Sequence, residues 1–132
     1  MPFGVSRYRK TADREILAYP AGLDAIKSVV VASSAAEELP SATTGKDGNK
    51  GLLAGTILEA VPGDTQGRVR KWTNGTIVGI LGSNVFFEGE GDAYDAPAEA
   101  YFHGCVFNKD RIVDYDDADS DLASDLPTCR FE

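Results

Sequence analysis

The sequence predicts a mainly β domain, a small β-barrel or β-tulip-like unit with an extended N-terminal arm and little helix. Short runs rich in β-branched and aromatic residues alternate with clusters of glycine, proline and asparagine. Apolar residues rarely recur at helical spacing. The 132 residues suffice for one modest hydrophobic core. We therefore expect a single β domain with terminal extensions.

Charge and composition divide the chain into three parts: an arm over residues 1–22, a β domain over 23–113 and an acidic tail over 114–132. The arm ends near Pro20 and Gly22, which discourage continuation of a helix or strand. The tail has few apolar residues, so we expect no packed helix there, only a mobile or surface-lying segment. Its acidic residues are Asp114, Asp116, Asp117, Asp119, Asp121 and Asp125.

In the first half of the β domain, the β-branched run over residues 26–31 predicts the first strand. Residues 33–50 are small and polar, which is typical of a long surface loop. Residues 52–59 predict the next strand. Pro62 and Gly63 then predict a turn over residues 61–64, because proline presets the first turn angle and glycine accepts the positive one.

In the second half, Val69 alternates with Arg68 and Arg70, so the valine and the arginines should occupy opposite faces of a strand. The Asn74-Gly75 pair predicts a type I′ hairpin between Trp72 and the next strand. Residues 85–87 and 98–107 predict the last two strands. Residues 108–110 predict a helix cap or turn.

The net charge of −8 argues against nucleic acid as the main partner, because phosphate contacts need a concentrated basic surface. No apolar run approaches the roughly 18 residues of a membrane span, so we expect no membrane association. The N-terminus lacks a secretory pattern. Cys105 and Cys129 are therefore expected to be free thiols.

Metal binding, cofactor binding and catalysis are not expected. His103 is the only histidine, and neither cysteine belongs to a Cys-x-x-Cys pair. His103 and Cys105 are two residues apart on a predicted strand and could touch, but no third group to orient them is evident. Asp117 begins a calcium-loop pattern that fails at Leu122 and Thr128. We expect no enzyme.

One region carries a family resemblance. It contains Ala54-Gly55-Thr56, then a run from Arg68 to Trp72, the Asn74-Gly75 turn, Val78-Gly79-Ile80-Leu81, and Tyr101-Phe102-His103-Gly104. This order of motifs resembles the small decoration, or cement, proteins of tailed-phage heads, whose best-known type is the lambda head decoration protein. The resemblance covers roughly the middle half of the chain.

The resemblance implies a structural protein made in the host cytoplasm and located on the outer capsid surface of the virion. It implies a homotrimer that sits at local threefold positions of the expanded head and binds the major capsid protein. The N-terminal arm would supply capsid contacts, and two aromatic residues would supply the core or trimer seam. The arm residues are Phe3, Val5, Arg7, Tyr8 and Arg9; the seam residues are Trp72 and Phe102.

Two other functions stay open at this point. A small trimeric carbohydrate- or receptor-binding module of a virion would use aromatic side chains such as Tyr94 and Tyr101 as stacking surfaces. A hydrolase would depend on His103, because the chain has no other histidine.

Overall fold

The computed structural model describes residues 16–18, 25–32, 37–38, 50–87 and 95–132. These parts contain ten short strands, a 3₁₀ turn and one α-helix, so the prediction of a mainly β barrel with little helix is confirmed. The strands are β1 (Ile26–Val31), β2 (Glu37–Glu38), β3 (Lys50–Leu52), β4 (Ile57–Ala60), β5 (Val69–Lys71), β6 (Ile77–Leu81), β7 (Val85–Phe87), β8 (Ala96–Tyr101), β9 (Val106–Phe107) and β10 (Arg130–Phe131). The 3₁₀ turn spans Lys109–Arg111, and helix α1 spans Tyr115–Asp125.

Five strands close into a barrel in the order β1-β5-β4-β6-β8. The longest ladder is antiparallel and joins β1 to β8, from Ile26 opposite Tyr101 to Val31 opposite Ala96. Every strand of the barrel contributes to one buried apolar cluster, which is therefore the barrel interior. Its members from these strands are Val29, Val31, Leu58, Val69, Leu81 and Ala100.

The outer face of the barrel carries a second buried cluster. Successive residues of a strand point to opposite faces, so Ile57 and Ile80 point outwards where their neighbours Leu58 and Leu81 point inwards. Helix α1 covers this outer face with Ala118 and Leu122, both 0% exposed. The protein thus has two apolar layers that share strands β4, β6 and β8.

The predicted strand over residues 52–59 is wrong, because a turn at residues 53–56 separates β3 from β4. Gly55 has φ +91° and donates its N–H to the Leu81 carbonyl at 2.8 Å. A Cβ at this position would collide with the carbonyl oxygen of Arg111. Only glycine fits this close approach of two backbones.

The predicted hairpin at Asn74-Gly75 is also wrong. Strands β5 and β6 do not pair, since both flank β4 on opposite sides. Neither Asn74 nor Gly75 has the positive φ that a type I′ turn demands. The segment instead crosses the end of β4, where its backbone N–H groups bind the side chain of Glu59.

The predicted strand over residues 98–107 is divided into β8 and β9, because the chain turns between them at Gly104, which has φ +64°. The expectation of no packed helix in the acidic tail is wrong as well. Helix α1 occupies residues 115–125 and buries one side against the barrel. Asp116, Asp117, Asp119 and Asp121 are exposed on the opposite side, whereas Asp125 accepts the Ile77 N–H at 2.9 Å.

Other predictions are confirmed. The first strand has the predicted bounds, residues 85–87 form β7, and Val69 is buried while Arg70 is half-buried. At the predicted turn over residues 61–64, the Asp64 N–H bonds the Val61 carbonyl at 3.2 Å, and Gly63 has φ +71°. The predicted loop over residues 33–50 is not confirmed: most of it lies outside the described residues, Glu37–Glu38 form strand β2, which pairs with β3, and Lys50 belongs to β3.

Candidate functional site

Glu59 is a carboxylate in the buried part of β4, where its side chain is 1% exposed. A register shift between β4 and β6 follows Leu58, so that Leu58 faces Gly79 and Glu59 faces Ile77. The shift adds a residue to β6 and bends the ladder locally. On its other side, Glu59 lies opposite Arg70 of β5.

The Glu59 carboxylate is fully surrounded by donors. Its Oε1 accepts backbone N–H groups from Thr73 and Gly75, each at 2.9 Å, and from Asn74 at 3.3 Å. Its Oε2 accepts Arg70 Nε at 2.8 Å and lies 2.7 Å from Arg70 Nη2. Because each oxygen is bonded, the charge is stable without solvent.

These donors determine the ionisation of the group. Burial alone would raise the pKa of Glu59, but the N–H groups of Thr73 and Gly75 and the Arg70 guanidinium outweigh burial and lower the pKa to about 2. Glu59 is therefore an anion at neutral pH. A carboxylate so strongly held as an anion is a poor proton donor or acceptor near neutrality, and its role is to fix the loop after β5.

Trp72 lies at the edge of this loop and is half-buried against the outer-face cluster. Its indole Nε1 donates to the Gly75 carbonyl at 2.9 Å. Phe102 packs against the same cluster, and the Lys27 ammonium lies 4.8 Å from the centre of its ring. Both predicted seam residues thus line one apolar layer, and both keep part of their surface in solvent.

The ends of the described chain meet at β9. Leu17 forms an antiparallel bridge with Phe107, and β10 pairs with β9 in parallel on the other side. Phe107 is 0% exposed and stacks on Phe131, with ring centroids 5.1 Å apart. We call residues 16–18, β9, α1 and β10 the terminal corner.

The predicted capsid-binding residues of the arm lie outside the described residues. Within the predicted arm, residues 16–18 are described, and they are bonded to the domain. Ala18 N–H bonds the Val106 carbonyl at 2.8 Å, and Asn108 N–H bonds the Ile16 carbonyl at 2.7 Å. Ile16 is 1% exposed. Residues 16–18 are therefore anchored beside β9.

His103 and the cysteines also lie at the terminal corner. Neither cysteine is in a disulfide, as predicted. Cys105 Sγ contacts the His103 carbonyl at 3.5 Å, whereas the imidazole Nδ1 lies 3.2 Å from Thr128 Oγ1. The structure therefore brings the His103 ring to Thr128, the residue before Cys129, which the strand argument did not predict.

The aromatic surface expected for carbohydrate binding does not form around Tyr101. This side chain is 5% exposed and packs edge-to-face against Phe107, with centroids 6.3 Å apart. A ring sealed in the core cannot stack on a sugar. Tyr94 lies outside the described residues.

Within the described ranges, no group of three or more histidine, cysteine, aspartate or glutamate side chains could hold a metal ion. No α-helix in the same ranges is long and apolar enough to cross a bilayer.

Comparison with known proteins yields no relative: no family model, no curated protein and no solved structure matches this chain.

Proposed function

We propose that this protein is a decoration protein of a tailed-phage head. It binds the major capsid protein on the outside of the expanded head as a homotrimer, and it stabilises the shell against the pressure of packaged DNA. The fold is a closed barrel of mainly β structure. The capsid role rests on the sequence motifs and on where those motifs lie.

The observation that carries the proposal is the position of the resembling segments in the barrel. The run ending at Trp72 contains β5, the Val78–Leu81 motif lies in β6, and the Tyr101–Gly104 motif begins at the end of β8. With β4, these strands occupy successive positions in the barrel. Motifs that are scattered in sequence therefore lie in one continuous stretch of the barrel wall.

The anchored end of the arm supports the same proposal. Residues 16–18 are held by backbone hydrogen bonds beside β9. A segment tethered in this way can add to a partner's sheet edge, where backbone bonds give affinity and alternate side chains give specificity. Phe3, Val5 and Tyr8 would supply apolar contacts, and Arg7 and Arg9 would meet acidic groups of the capsid protein.

The physical basis of the stabilisation is multivalency. Once one arm of a trimer has docked, the other two bind at high effective concentration, so modest contacts hold neighbouring capsid subunits together. The net charge of −8 suits a protein that should not bind the packaged DNA.

The primary test is co-sedimentation of the full chain with expanded phage heads that lack their decoration. We expect saturable binding at a fixed ratio to capsid subunits. Deleting residues 1–10 should abolish binding but leave the oligomeric state unchanged. Failure of the intact protein to bind any such head would overturn the capsid role, and unchanged binding of the deletion variant would overturn the role of the arm.

A charge-matched pair of variants separates arm chemistry from net charge. Arg7→Ala combined with Arg9→Ala should weaken head binding. Lys109→Ala combined with Arg111→Ala removes the same charge from exposed positions beside the terminal corner and should not weaken it. Equal weakening by both pairs would show that the contribution of the arm arginines is nonspecific.

The trimer seam is tested by sedimentation of the free and head-bound protein. Phe102→Ala should reduce trimer formation, because it removes a half-buried ring from the proposed seam. Phe131→Ala removes another half-buried ring from the terminal corner and should leave the trimer intact. A monomeric wild-type protein both in solution and on heads would contradict the seam.

A further inference from the structure

Two loops converge where β9 and β10 begin, and each loop ends in a cysteine. Val106 pairs with Arg130 and Phe107 with Phe131 in a parallel ladder. Cys105 and Cys129 precede these pairs by one position in each strand. The Arg130 N–H donates to the Cys105 carbonyl at 2.9 Å, which continues the ladder to the cysteines.

Continuing the parallel register by one position places Cys105 opposite Cys129, so the two side chains leave their strands on the same face. Adjacent strands lie about 4.8 Å apart, which is within the roughly 4.4–6.8 Å between Cα atoms that a disulfide requires. The two loops are also joined by Thr128, whose Oγ1 accepts the Gly104 N–H at 3.1 Å. A bond between the sulfurs therefore needs little movement of the backbone.

The two cysteines differ in access and in acidity. Cys105 is 1% exposed, whereas Cys129 is half-buried. The hydrogen bond from the Cys105 thiol is the largest cause that lowers the pKa of Cys129 to about 6, against the opposing effect of burial. The Thr128 hydroxyl and the charge of His103 act in the same direction as Cys105. The accessible sulfur is therefore the one that is a thiolate at neutral pH, and thiolates are the nucleophiles of disulfide exchange.

We propose that Cys129 and Cys105 form a redox site in which Cys129 attacks low-molecular-weight disulfides, such as glutathione disulfide, and Cys105 resolves the product. In the first step, a bond forms between Cys129 Sγ and one glutathione sulfur, and the second glutathione leaves as a thiolate. In the second step, Cys105 loses its proton to solvent and attacks Cys129 Sγ, which releases the first glutathione. The two cysteines are oxidised, and one glutathione disulfide is reduced to two glutathione molecules.

The product would be a disulfide across β9 and β10 that closes a loop containing α1. Closing a loop restricts the unfolded chain, so the oxidised protein should hold its terminal corner more firmly than the reduced one. This inference does not depend on the capsid role, since it rests on the two thiols and their neighbours.

The test uses the reduced full-length protein, incubated with glutathione disulfide at neutral pH, quenched with acid, alkylated and weighed by intact-mass spectrometry. The wild type should lose the mass of two hydrogen atoms, retain no glutathione and take up no alkylating agent. Cys105→Ser should retain one glutathione, because the resolving thiol is absent. Cys129→Ser should retain none, because the remaining thiol is buried.

A wild-type protein that keeps two alkylatable thiols, keeps a glutathione adduct or forms a disulfide-linked dimer would overturn the proposal. Circular dichroism shows whether each variant is folded, and Cys105→Ala replaces Cys105→Ser if the buried hydroxyl unfolds the protein. The wild-type mass decides the question of pairing even if both variants at position 105 unfold.

Discussion

The barrel and the terminal corner are stabilised by different interactions. In the barrel, five strands close on themselves, and the buried carboxylate of Glu59 is bonded by three successive backbone N–H groups and by Arg70. In the terminal corner, both ends of the described chain pair with the two-residue strand β9, and aromatic side chains pack against one another. The barrel is therefore stabilised by closure and a polar network, whereas the corner is stabilised by packing on the barrel's outer face.

The largest expected effects come from a matched pair of cavities. Leu58 lies inside the barrel and Leu122 lies in α1, and both are 0% exposed. Leu58→Ala and Leu122→Ala should each lower the free energy of unfolding by about 3–4 kcal/mol, through lost apolar transfer and a residual cavity. Because Leu122 packs in the same cluster as Ile57 and Ile80, chemical denaturation should show one transition for both variants. A separate early transition in Leu122→Ala would show that the corner opens independently.

Glu59→Gln should have the next largest effect. The substitution keeps the shape of the side chain, but it removes the charge and places an amide N–H₂ group among donors. We expect the free energy of unfolding to fall by about 3 kcal/mol. Glu99→Gln makes the same chemical change at an exposed position of β8 and should have almost no effect. Equal stability of the two variants in urea denaturation would refute the importance of the network.

The pH dependence of stability gives a second test of the Glu59 network. The pKa of Glu59 falls from its ordinary 4.5 to about 2 on folding, so the unfolded state binds the proton more tightly than the folded state does. The stabilisation is therefore complete above the unfolded pKa and is lost as pH falls from 4.5 towards 2. Wild type and Glu59→Gln should converge in free energy of unfolding over that window. If the two free energies of unfolding differed by a constant amount down to a pH of about 2, the lowered pKa of Glu59 would be contradicted.

Trp72→Phe should have the smallest effect. Phenylalanine keeps an aromatic ring against the outer-face cluster but loses the bond from the indole N–H to the Gly75 carbonyl. We expect a loss of about 1 kcal/mol in free energy of unfolding. Because Trp72 is the only tryptophan, the variant has no tryptophan fluorescence, and unfolding is followed by circular dichroism instead. A loss of stability as large as that of Leu58→Ala would show that the phenyl ring does not replace the packing of the larger indole against the outer-face cluster.

Local signals were enough to predict the fold class, the first strand and the Pro62-Gly63 turn, because each depends on the preferences of adjacent residues. The order of strands was not predictable in this way. Asn74-Gly75 looked like a hairpin because nothing nearby shows that β4 lies between β5 and β6. The available clue was a glutamate in an apolar run, since a charge at Glu59 must find partners when it is buried.

Helix α1 was missed because its composition is mostly acidic. Its spacing was the better signal: Tyr115, Ala118, Leu122 and Leu126 recur every three or four residues and form the side that faces the core. The proposed dithiol site was missed for another reason. Cys105 and Cys129 are remote in sequence, and only the parallel pairing of β9 with β10 brings them together. The arm residues and the seam stay predictions from sequence.

The loop over Thr73, Asn74 and Gly75 carries a consequence for how this chain can change. Three consecutive N–H groups form a concave anion receptor, and the anion that fills it is Glu59 of the chain itself. Receptor and ligand are covalently one molecule, so the ligand is always present at saturating concentration and cannot be competed away. Substitutions in the loop are therefore tolerated as long as the backbone conformation is kept. Position 59, in contrast, requires a carboxylate on a side chain as long as that of glutamate.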